Sequence, residues 1–470
     1  MLGVVDCNNF FVSCEKAFNP ALEGRAVVVL SNNDGCVVSR SQEAKDMGIK
    51  MGVPAYQLTE QMCLRVVSAQ ELKERNGKEV PLGAFRGEVV AFSSNYRLYG
   101  DMSRRVMTLL QEMVPCMEIY SIDECFVSFK GMSAEQIAAK AQEIVYKIRK
   151  YTGIPVCVGI AHTKTLAKVA NRYAKKYKGY HGWCMIDTEE KRVKALQQME
   201  VGDVWGIGRR YAKFLKSEGV NTAYAFTCKS AWWVKKNMGV VGLRTQMELN
   251  GEPVAQLDVR EEKKSITTSR SFGEMVSTLE ELESAVSNFA SSCAAKLRQQ
   301  GSAAGCITVY ILTNFFREDL PKYYNSITLQ FPEATCSTLE MVNHALTGLK
   351  QIYRKGYLYK KAGVLVEDIV PNTGVQQNLF EQTDTEKMKC INAVLDSVNA
   401  RYGRNALKIA VQGGFGAQAE DKWTMKRNSL SGNYTTDLND IIDIKAELLS
   451  LLPQKSITRH QKGATTDYYG

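Results

Sequence analysis

The stretch MEIYSIDECFVSF, residues 117–129, places two adjacent carboxylates, Asp123 and Glu124, between two runs rich in strand-favouring residues. This pattern is typical of a strand, a tight acidic turn and a second strand. The apolar run Leu2–Val5 predicts another buried strand, which ends at Asp6. If these strand ends are neighbours in one sheet, three carboxylates converge. An isolated acidic pair more often lies in a solvated turn than in a functional site, so the choice between the two depends on the surrounding residues.

A cluster of three carboxylates predicts a metal site. Crowded negative charges repel one another unless a cation lies between them. Oxygen ligands favour a hard ion such as Mg²⁺, which binds through a few carboxylates plus substrate phosphates. Asp6, Asp123 and Glu124 therefore indicate a site for two Mg²⁺ ions, of the kind that catalyses phosphoryl transfer.

Composition and charge are compatible with a polyanionic partner. The 470 residues suffice for about three domains, and 60 basic against 50 acidic side chains give a net charge of +10. Six basic residues and no acidic ones lie within Lys164–Lys178. A solvated helix face would interleave both signs, so this run favours phosphate contact.

Cysteine usage and hydropathy predict a cytoplasmic protein. The 13 cysteines include no C-x-x-C pair, and the 4 histidines are isolated, so reduced thiols and no zinc site are expected. The N-terminal strand resembles neither a signal peptide nor a transit peptide. No apolar run approaches the roughly 18 residues that span a membrane, so no membrane association is expected.

The chain divides into regions of different periodicity. Strands and helices alternate up to about residue 175, where Ser41 and Thr163 are predicted helix caps. Residues 180–250 are predicted to be helical. Residues 266–367 predict the order β-α-β-β-α-β, typical of a ferredoxin-like split unit.

Several segments resemble the Y-family translesion DNA polymerases. Asp6–Glu15 resembles their opening signature, and Ser121–Glu124 resembles the second. Further segments are similar to the bacterial UmuC branch, in family order over roughly residues 1–440: Val28–Val37, Ser93–Tyr96, Val158–Lys168, Asp203–Arg210, Ser269–Gly273, Trp423–Arg427 and Tyr434–Thr436.

The resemblance implies an α+β, multidomain right-hand polymerase with palm, fingers, helical thumb and a ferredoxin-like (βαββαβ) little finger. Between Leu64 and Arg86 the chain is longer than the family pattern, and the polar residues there predict a solvated insertion. The implied domains are the palm (1–10 and 89–175), the fingers (11–88), the thumb with a helix-hairpin-helix (176–250), a linker (251–264), the little finger (265–370), a clamp-binding linker (371–382), a UmuC-type C-terminal region (383–452) and a disordered tail (453–470).

The resemblance also assigns metal ligands and a sugar-facing ring. Asp6 and Asp123 are expected to bridge both Mg²⁺ ions, Glu124 to hold the ion nearest the primer, and the main-chain carbonyl of Cys7 to complete the shell. Phe11 takes the steric-gate position, where an aromatic ring excludes a 2′-hydroxyl.

Other residues are assigned to the nucleotide. Phe10, also at the nucleotide pocket, is expected to be the buried member of the aromatic pair. Lys45 and Lys168 match positions that hold the triphosphate, because lysine is a flexible point charge suited to phosphate. Arg40 is a further candidate for the same pocket.

Two more segments predict macromolecular contacts. Gly206 and Gly208, followed by Arg209 and Arg210, are typical of a helix-hairpin-helix turn that binds a DNA phosphate with main-chain N–H groups. The segment 376–380, with Gln376, Leu379 and Phe380 as contact residues, resembles the sliding-clamp motif of bacterial polymerases. The alternative is a hydrophobic latch onto the chain's own C-terminal region.

The function implied is error-prone, template-directed DNA synthesis across lesions in the bacterial DNA-damage (SOS) response. Its substrates are primer-template DNA and deoxynucleotides, and its expected partners are a sliding clamp, a UmuD′-like dimer and a RecA-type filament at the nucleoid. One alternative is a self-sufficient polymerase of the DNA polymerase IV type. The other is a non-catalytic DNA-binding protein derived from this fold, which would have lost the three carboxylates.

Overall fold

The computed structural model describes residues 1–75, 81–257, 262–373, 385–403, 405–413, 422–437 and 440. The chain forms two compact units, residues 1–431 and 432–470. In the described part of the second unit, a turn at residues 434–436 is accompanied by a hydrogen bond from the Asn433 main-chain N–H to the Asp440 carboxylate, 2.7 Å long. The disordered tail predicted at 453–470 lies outside the described residues.

The strands in chain order are β1 Leu2–Cys7, β2 Val27–Leu30, β3 Val37–Arg40, β4 Leu64–Ser68, β5 Gly87–Ser93, β6 Met117–Ile119, β7 Glu124–Ser128, β8 Val156–Ala161, β9 Trp183–Met185, β10 Ile266–Val276, β11 Ser302–Thr313, β12 Tyr324–Thr335 and β13 Tyr359–Pro371. The α-helices are α1 Phe10–Phe18, α2 Gln42–Asp46, α3 Ala55–Glu60, α4 Ala69–Glu74, α5 Tyr96–Met113, α6 Ala134–Thr152, α7 Lys164–Lys176, α8 Glu189–Gln198, α9 Arg209–Ser217, α10 Ala223–Thr227, α11 Ala231–Leu249, α12 Leu279–Gln300, α13 Thr338–Ile352 and α14 Thr385–Tyr402. In the described part of the chain, no helix is both long and apolar enough to cross a membrane.

The first sheet has the strand order β6-β7-β1-β8-β9 and carries the acidic residues. β1 lies between β7 and β8 and pairs antiparallel with both. The prediction that the strand ends carrying Asp6 and Glu124 are neighbours in one sheet is therefore confirmed. All six residues of β8 are buried, as expected for a central strand covered by α7. Thr163 caps α7, as predicted, by accepting a hydrogen bond from the Leu166 N–H.

The second sheet has the strand order β3-β2-β5-β4. Residues 89–93 were expected to begin the second segment of the palm. They lie in β5, which pairs in parallel with β2 and β4 and is separate from the sheet of β1. β5 pairs with β2 because every residue of β2 is buried, and a buried strand needs a hydrogen-bonded strand on each side. Ser41 caps α2 as predicted.

The third sheet, β10-β13-β11-β12, confirms the predicted β-α-β-β-α-β order. α12 and α13 pack on each other and on this sheet around a core that includes Phe272, Phe289 and Trp423. A capping box at Thr278 begins α12. The sheet and its two helices lie within the residues expected to form the little finger.

Residues 176–250 are mostly helical, with one exception. Residues 183–185 form β9, an edge strand that pairs in parallel with β8 in the first sheet. Of the predicted insertion, Ala69–Glu74 forms α4, and residues 76–80 lie outside the described residues.

Candidate active site

The carboxylates of Asp6 and Glu124 meet across two strands. The register of β1 and β7 pairs Asp6 directly with Glu124, so both side chains project from the same face of the sheet. The two groups share a hydrogen bond, and Asp6 is only 9% exposed. Each carboxylate also contacts an ammonium group of α7: Lys175 Nζ lies 2.5 Å from Asp6 Oδ1, and Lys168 Nζ lies 2.6 Å from Glu124 Oε1.

The two carboxylates have opposite pKa shifts. Burial raises the pKa of Asp6 to about 7, against the opposing charge of Lys175 and with a smaller contribution from Glu124. Burial would also raise the pKa of Glu124, but hydrogen bonds from Asp6 and Lys168 outweigh it and hold that pKa below its usual value. One carboxyl of the pair is therefore readily protonated and the other stays ionised.

Asp123 does not join this pair. Its main-chain carbonyl accepts the Cys7 N–H at 2.9 Å, while its carboxylate accepts the Ser121 hydroxyl at 2.7 Å. Among the described residues, no three His, Cys, Asp or Glu side chains lie close enough together to hold a metal ion. Of the three carboxylates expected to converge, only those of Asp6 and Glu124 therefore meet. The bend before β7 lets the Ser121 hydroxyl bind the carboxylate of Asp123 instead.

The donor set of this pocket nevertheless suits a hard cation. Asp6 and Glu124 offer carboxylate oxygens, which the ammonium groups of Lys175 and Lys168 contact. Carboxylate oxygens are ligands that Mg²⁺ prefers, and an ion bound there would displace the ammonium groups from them. Asp123, in the bend beside them, is the nearest further oxygen donor by chain position.

Lys175 is a site residue that the sequence assignments left out. It lay within the basic run but was given no role of its own. Lys164, Lys168 and Lys175 recur at helical spacing on α7, and this spacing is the signal that would have identified Lys175. Lys164 forms a buried ion pair with Glu118 at 2.6 Å instead of facing the pocket.

Two further predicted cations, Arg40 and Lys45, lie on β3 and α2. Lys45 Nζ donates to Asn9 Oδ1 at 2.7 Å. Burial lowers the pKa of Lys45, and the positive charges of Arg40 and Lys175 lower it further. The Arg40 guanidinium itself donates to the Ile49 main-chain carbonyl and makes no described contact with Asp6 or Glu124.

The predicted division between the two phenylalanines is confirmed for burial. Phe10 begins α1 and is 3% exposed, whereas Phe11 is half-buried. The Phe11 ring stacks on Tyr99, with centroids 4.5 Å apart, and meets Tyr96 edge-on at 6.0 Å. Asn9, with φ of 48°, turns the chain from β1 into α1.

The glycine turn lies at the surface before α9. Gly206 has φ of +92°, a left-handed conformation that favours glycine, and Gly208 immediately precedes α9. Arg209 and Arg210, in the first turn of that helix, are exposed. Trp205 packs edge-on against Tyr120 of the first sheet's acidic hairpin at 5.7 Å.

The predicted clamp-binding residues Gln376, Leu379 and Phe380 lie outside the described residues, so their role stays a prediction.

The sequence profile of the impB/mucB/samB family matches residues 5–172, and the profile of that family's C-terminal domain matches residues 263–379. Protein UmuC of Salmonella typhimurium is 39% identical over 449 residues, which cover 95% of this chain and 100% of that protein. The chain belongs to this family. It is a UmuC-type Y-family DNA polymerase, as the sequence resemblance implied, and the alternative of a DNA polymerase IV type is not favoured.

Two further matches extend the comparison. Protein SamB of Salmonella typhimurium is 38% identical over 447 residues, covering 94% of this chain and 99% of that protein. A solved Y-family DNA polymerase chimera of Dbh and Dpo4 has a TM-score of 0.61 at 19% identity, covering 79% of this chain and 100% of that chain. It confirms the right-hand polymerase fold class. Residues 389–444 of the UmuC-type chain match a domain of unknown function.

Proposed function

We propose that this UmuC-type polymerase performs template-directed, error-prone nucleotidyl transfer at the pocket of Asp6 and Glu124. The observation that supports the proposal most directly is the cross-strand carboxylate pair, held between Lys168 and Lys175 at 2.6 and 2.5 Å. A non-catalytic DNA-binding protein would have no use for two partly buried carboxylates beside two ammonium groups. Such a pairing is costly to bury and is typical of a reactive site.

The reaction is attack of a primer 3′-hydroxyl on the α-phosphate of a deoxynucleotide, with release of pyrophosphate. Asp6, Asp123, Glu124 and the Cys7 carbonyl would hold two Mg²⁺ ions, which supply Lewis-acid stabilisation of the attacking and leaving oxygens. Arg40 and the lysines at 45, 168 and 175 would supply positive charge for the triphosphate.

Sugar selection is assigned to Phe11. Its half-buried ring lies at the N-terminus of α1, a few residues beyond Asp6, with Tyr99 behind it. A ring at this place would collide with a 2′-hydroxyl while accepting a deoxyribose.

DNA grip and partner contacts are assigned to other regions. Main-chain N–H groups after Gly206 and Gly208, with Arg209 and Arg210, would bind phosphates of the primer-template independently of sequence. A sliding clamp would dock at Leu379 and Phe380. A UmuD′-like dimer and a RecA-type filament would assemble with the polymerase at the bacterial nucleoid during the SOS response.

Primer extension by the carboxylate variants tests the proposal. Asp123→Ala and Glu124→Ala should each abolish incorporation of deoxynucleotides, whereas binding of a labelled primer-template should survive because DNA grip comes from distant basic residues. Glu112→Gln, at an exposed carboxylate of α5, is the matched control and should extend primers normally. The assay is run with and without a UmuD′-like dimer. Full activity in both alanine variants would refute the site.

A further inference from the structure

The segment 422–431, in the region whose family match has no known function, spans two parts of the fold. At its start, Trp423 is buried in the little-finger core, where its Nε1–H donates to the Ser284 hydroxyl at 3.1 Å and its ring meets Phe289 edge-on at 5.8 Å. The Gly273 N–H of β10 donates to the Thr424 carbonyl at 3.0 Å. The segment is therefore anchored in the little finger.

Beyond this anchor the segment 422–431 runs onto the second sheet. The N–H groups of Lys426 and Asn428 donate to the side chains of Asn33 and Asp34 at 3.0 and 2.9 Å. Ser429 then makes two hydrogen bonds with Ser93 at the end of β5: its carbonyl accepts the Ser93 N–H at 2.9 Å, and its N–H donates to the Ser93 hydroxyl at 3.0 Å. These bonds fix the main chain that leads to Ser431.

Ser431 ends the segment inside a buried hydrogen-bond network. Its hydroxyl donates to Glu15 Oε1 at 3.0 Å and accepts from Asn95 Nδ2 at 3.1 Å. The Tyr99 hydroxyl donates to the same Glu15 oxygen at 2.6 Å. Glu15 is 1% and Tyr99 0% exposed, so no water competes for these bonds.

This network ends at the ring of Phe11. Tyr99 stacks on Phe11 with an interplanar angle of 14°. Glu15 and Phe11 lie four residues apart on α1, hence on the same helix face, and Tyr99 contacts both. The position of the Tyr99 ring therefore determines where the Phe11 ring can pack.

We propose that Ser431 is a positioning residue for sugar selection, which holds Phe11 in place through Glu15 and Tyr99. The inference rests on the role proposed above for Phe11. It gives the segment 422–431 a function, which is to connect the little finger to Glu15 and Tyr99, the residues that support Phe11. Removal of the Ser431 or Tyr99 hydroxyl frees the Tyr99 ring, and Phe11 then yields to a 2′-hydroxyl.

The test compares deoxy- and ribonucleotide use in the full-length chain. For Ser431→Ala and Tyr99→Phe, the ratio of kcat/KM for dCTP to that for CTP opposite template dG should fall about fivefold or more, the effect expected when one buried hydrogen bond is removed. Incorporation of dCTP itself should change little. Ser431→Thr restores a hydroxyl and should restore discrimination. Ser429→Ala is the matched control, because the hydrogen bonds of Ser429 to Ser93 are made by its main chain.

A double variant separates positioning from a general weakening of packing. Phe11→Ala alone should abolish discrimination, and adding Ser431→Ala to it should lower the ratio no further, since Ser431 acts through that ring. A further drop in the double variant, or an unchanged ratio in Ser431→Ala beside a lowered one in Phe11→Ala, would overturn the inference.

A binding arm keeps this test independent of catalysis. Competition between dCTP and CTP is measured in complexes with a dideoxy-terminated primer, where no chemistry occurs. If wild type binds dCTP in preference to CTP yet incorporates neither, the proposed function fails. The inference is then still decided by comparing the ratio of dCTP to CTP affinity between wild type and the variants. Equal binding of both nucleotides by wild type and Phe11→Ala would overturn the inference.

Discussion

Lys175 shows how a single ammonium group stabilises a buried carboxylate. Asp6 is nearly inaccessible to water and beside Glu124, so its negative charge is unfavourable unless a cation contacts it. Lys175 supplies that cation at 2.5 Å. A divalent ion bound at Asp6 would compete with the ammonium group for the same oxygens.

Lys175→Gln should make the protein depend more on divalent ions for stability. Without the ammonium group, the metal-free variant should melt about 2–4 °C below wild type, the shift that roughly 1 kcal/mol produces in a domain of 150–250 residues. Adding Mg²⁺ should then raise its Tm by more than it raises that of wild type. Melting curves at several Mg²⁺ concentrations measure both effects, with the neighbouring Lys176→Gln as control. Equal Mg²⁺ responses in wild type and Lys175→Gln would contradict the competition.

Glu15 predicts a pH-dependent stability. Burial raises its pKa from the usual 4.5 to about 7, although hydrogen bonds from Tyr99 and Ser431 oppose the shift. Between these two values the folded chain holds a proton that the unfolded chain has released. Stability from this group is therefore fully present below about pH 4.5 and is lost as the pH rises through about 7, a change of the order of 3 kcal/mol.

Glu15→Gln should remove this component while keeping an oxygen that accepts from Tyr99. The free energy of unfolding of the variant should vary less between about pH 5 and pH 8 than that of wild type, as chemical denaturation at each pH will measure. Glu23→Gln, at an exposed carboxylate, should keep the wild-type profile. A parallel profile in Glu15→Gln would mean that another group carries the dependence.

At the scale of elements, the sequence predicts what depends on local patterns. The capping residues Ser41 and Thr163, the β-α-β-β-α-β order and the acidic strand ends are each encoded within a few residues, and the structure has them. Sheet membership is not local. β5 is an apolar run that fits either sheet, and its pairing with β2 depends on residues about sixty positions away.

The site follows the same rule. Asp6 and Glu124 were predictable because each lies at, or one residue from, the end of a recognisable strand. The carboxylate of Asp123 could not be placed, since its contact with Ser121 depends on the rotamer adopted in a bend. Lys175 and Tyr99 were missed because their roles depend on partners from distant parts of the chain, Asp6 and Glu15.

Helix α9 carries a prediction about DNA grip. Arg209 and Arg210 are exposed in the first turn, where free main-chain N–H groups also favour a phosphate. Replacing both with Gln should weaken binding to every primer-template alike. The slope of log K against log salt should flatten by about 0.7 to 0.9 for each DNA phosphate that is no longer neutralised. Lys147→Gln with Lys150→Gln removes the same charge from α6 and should leave the slope unchanged. An effect confined to one DNA sequence would contradict a backbone-only role.

At the scale of the whole molecule, regions far apart in the chain converge on the palm and fingers. The little finger is connected to the second sheet through the segment 422–431, which makes hydrogen bonds with both. Between the little finger and this segment lie the residues with the predicted clamp motif. The chain thus continues from that motif to a segment that makes hydrogen bonds with the end of β5.

Leu379→Ala with Phe380→Ala should uncouple the polymerase from the sliding clamp without affecting catalysis. An apolar pair in a polar stretch has too little neighbouring apolar surface to form a core, so it requires an external groove. Tethering to a ring on DNA raises the local concentration of the polymerase at the primer. The variant should therefore extend primers normally on naked circular templates yet gain nothing when clamp is loaded. Gln377→Ala with Asn378→Ala, between the expected contact residues, should keep clamp stimulation. Stimulation equal to wild type in the Leu379 and Phe380 variant, or a fall in its basal activity, would instead support a latch within the chain.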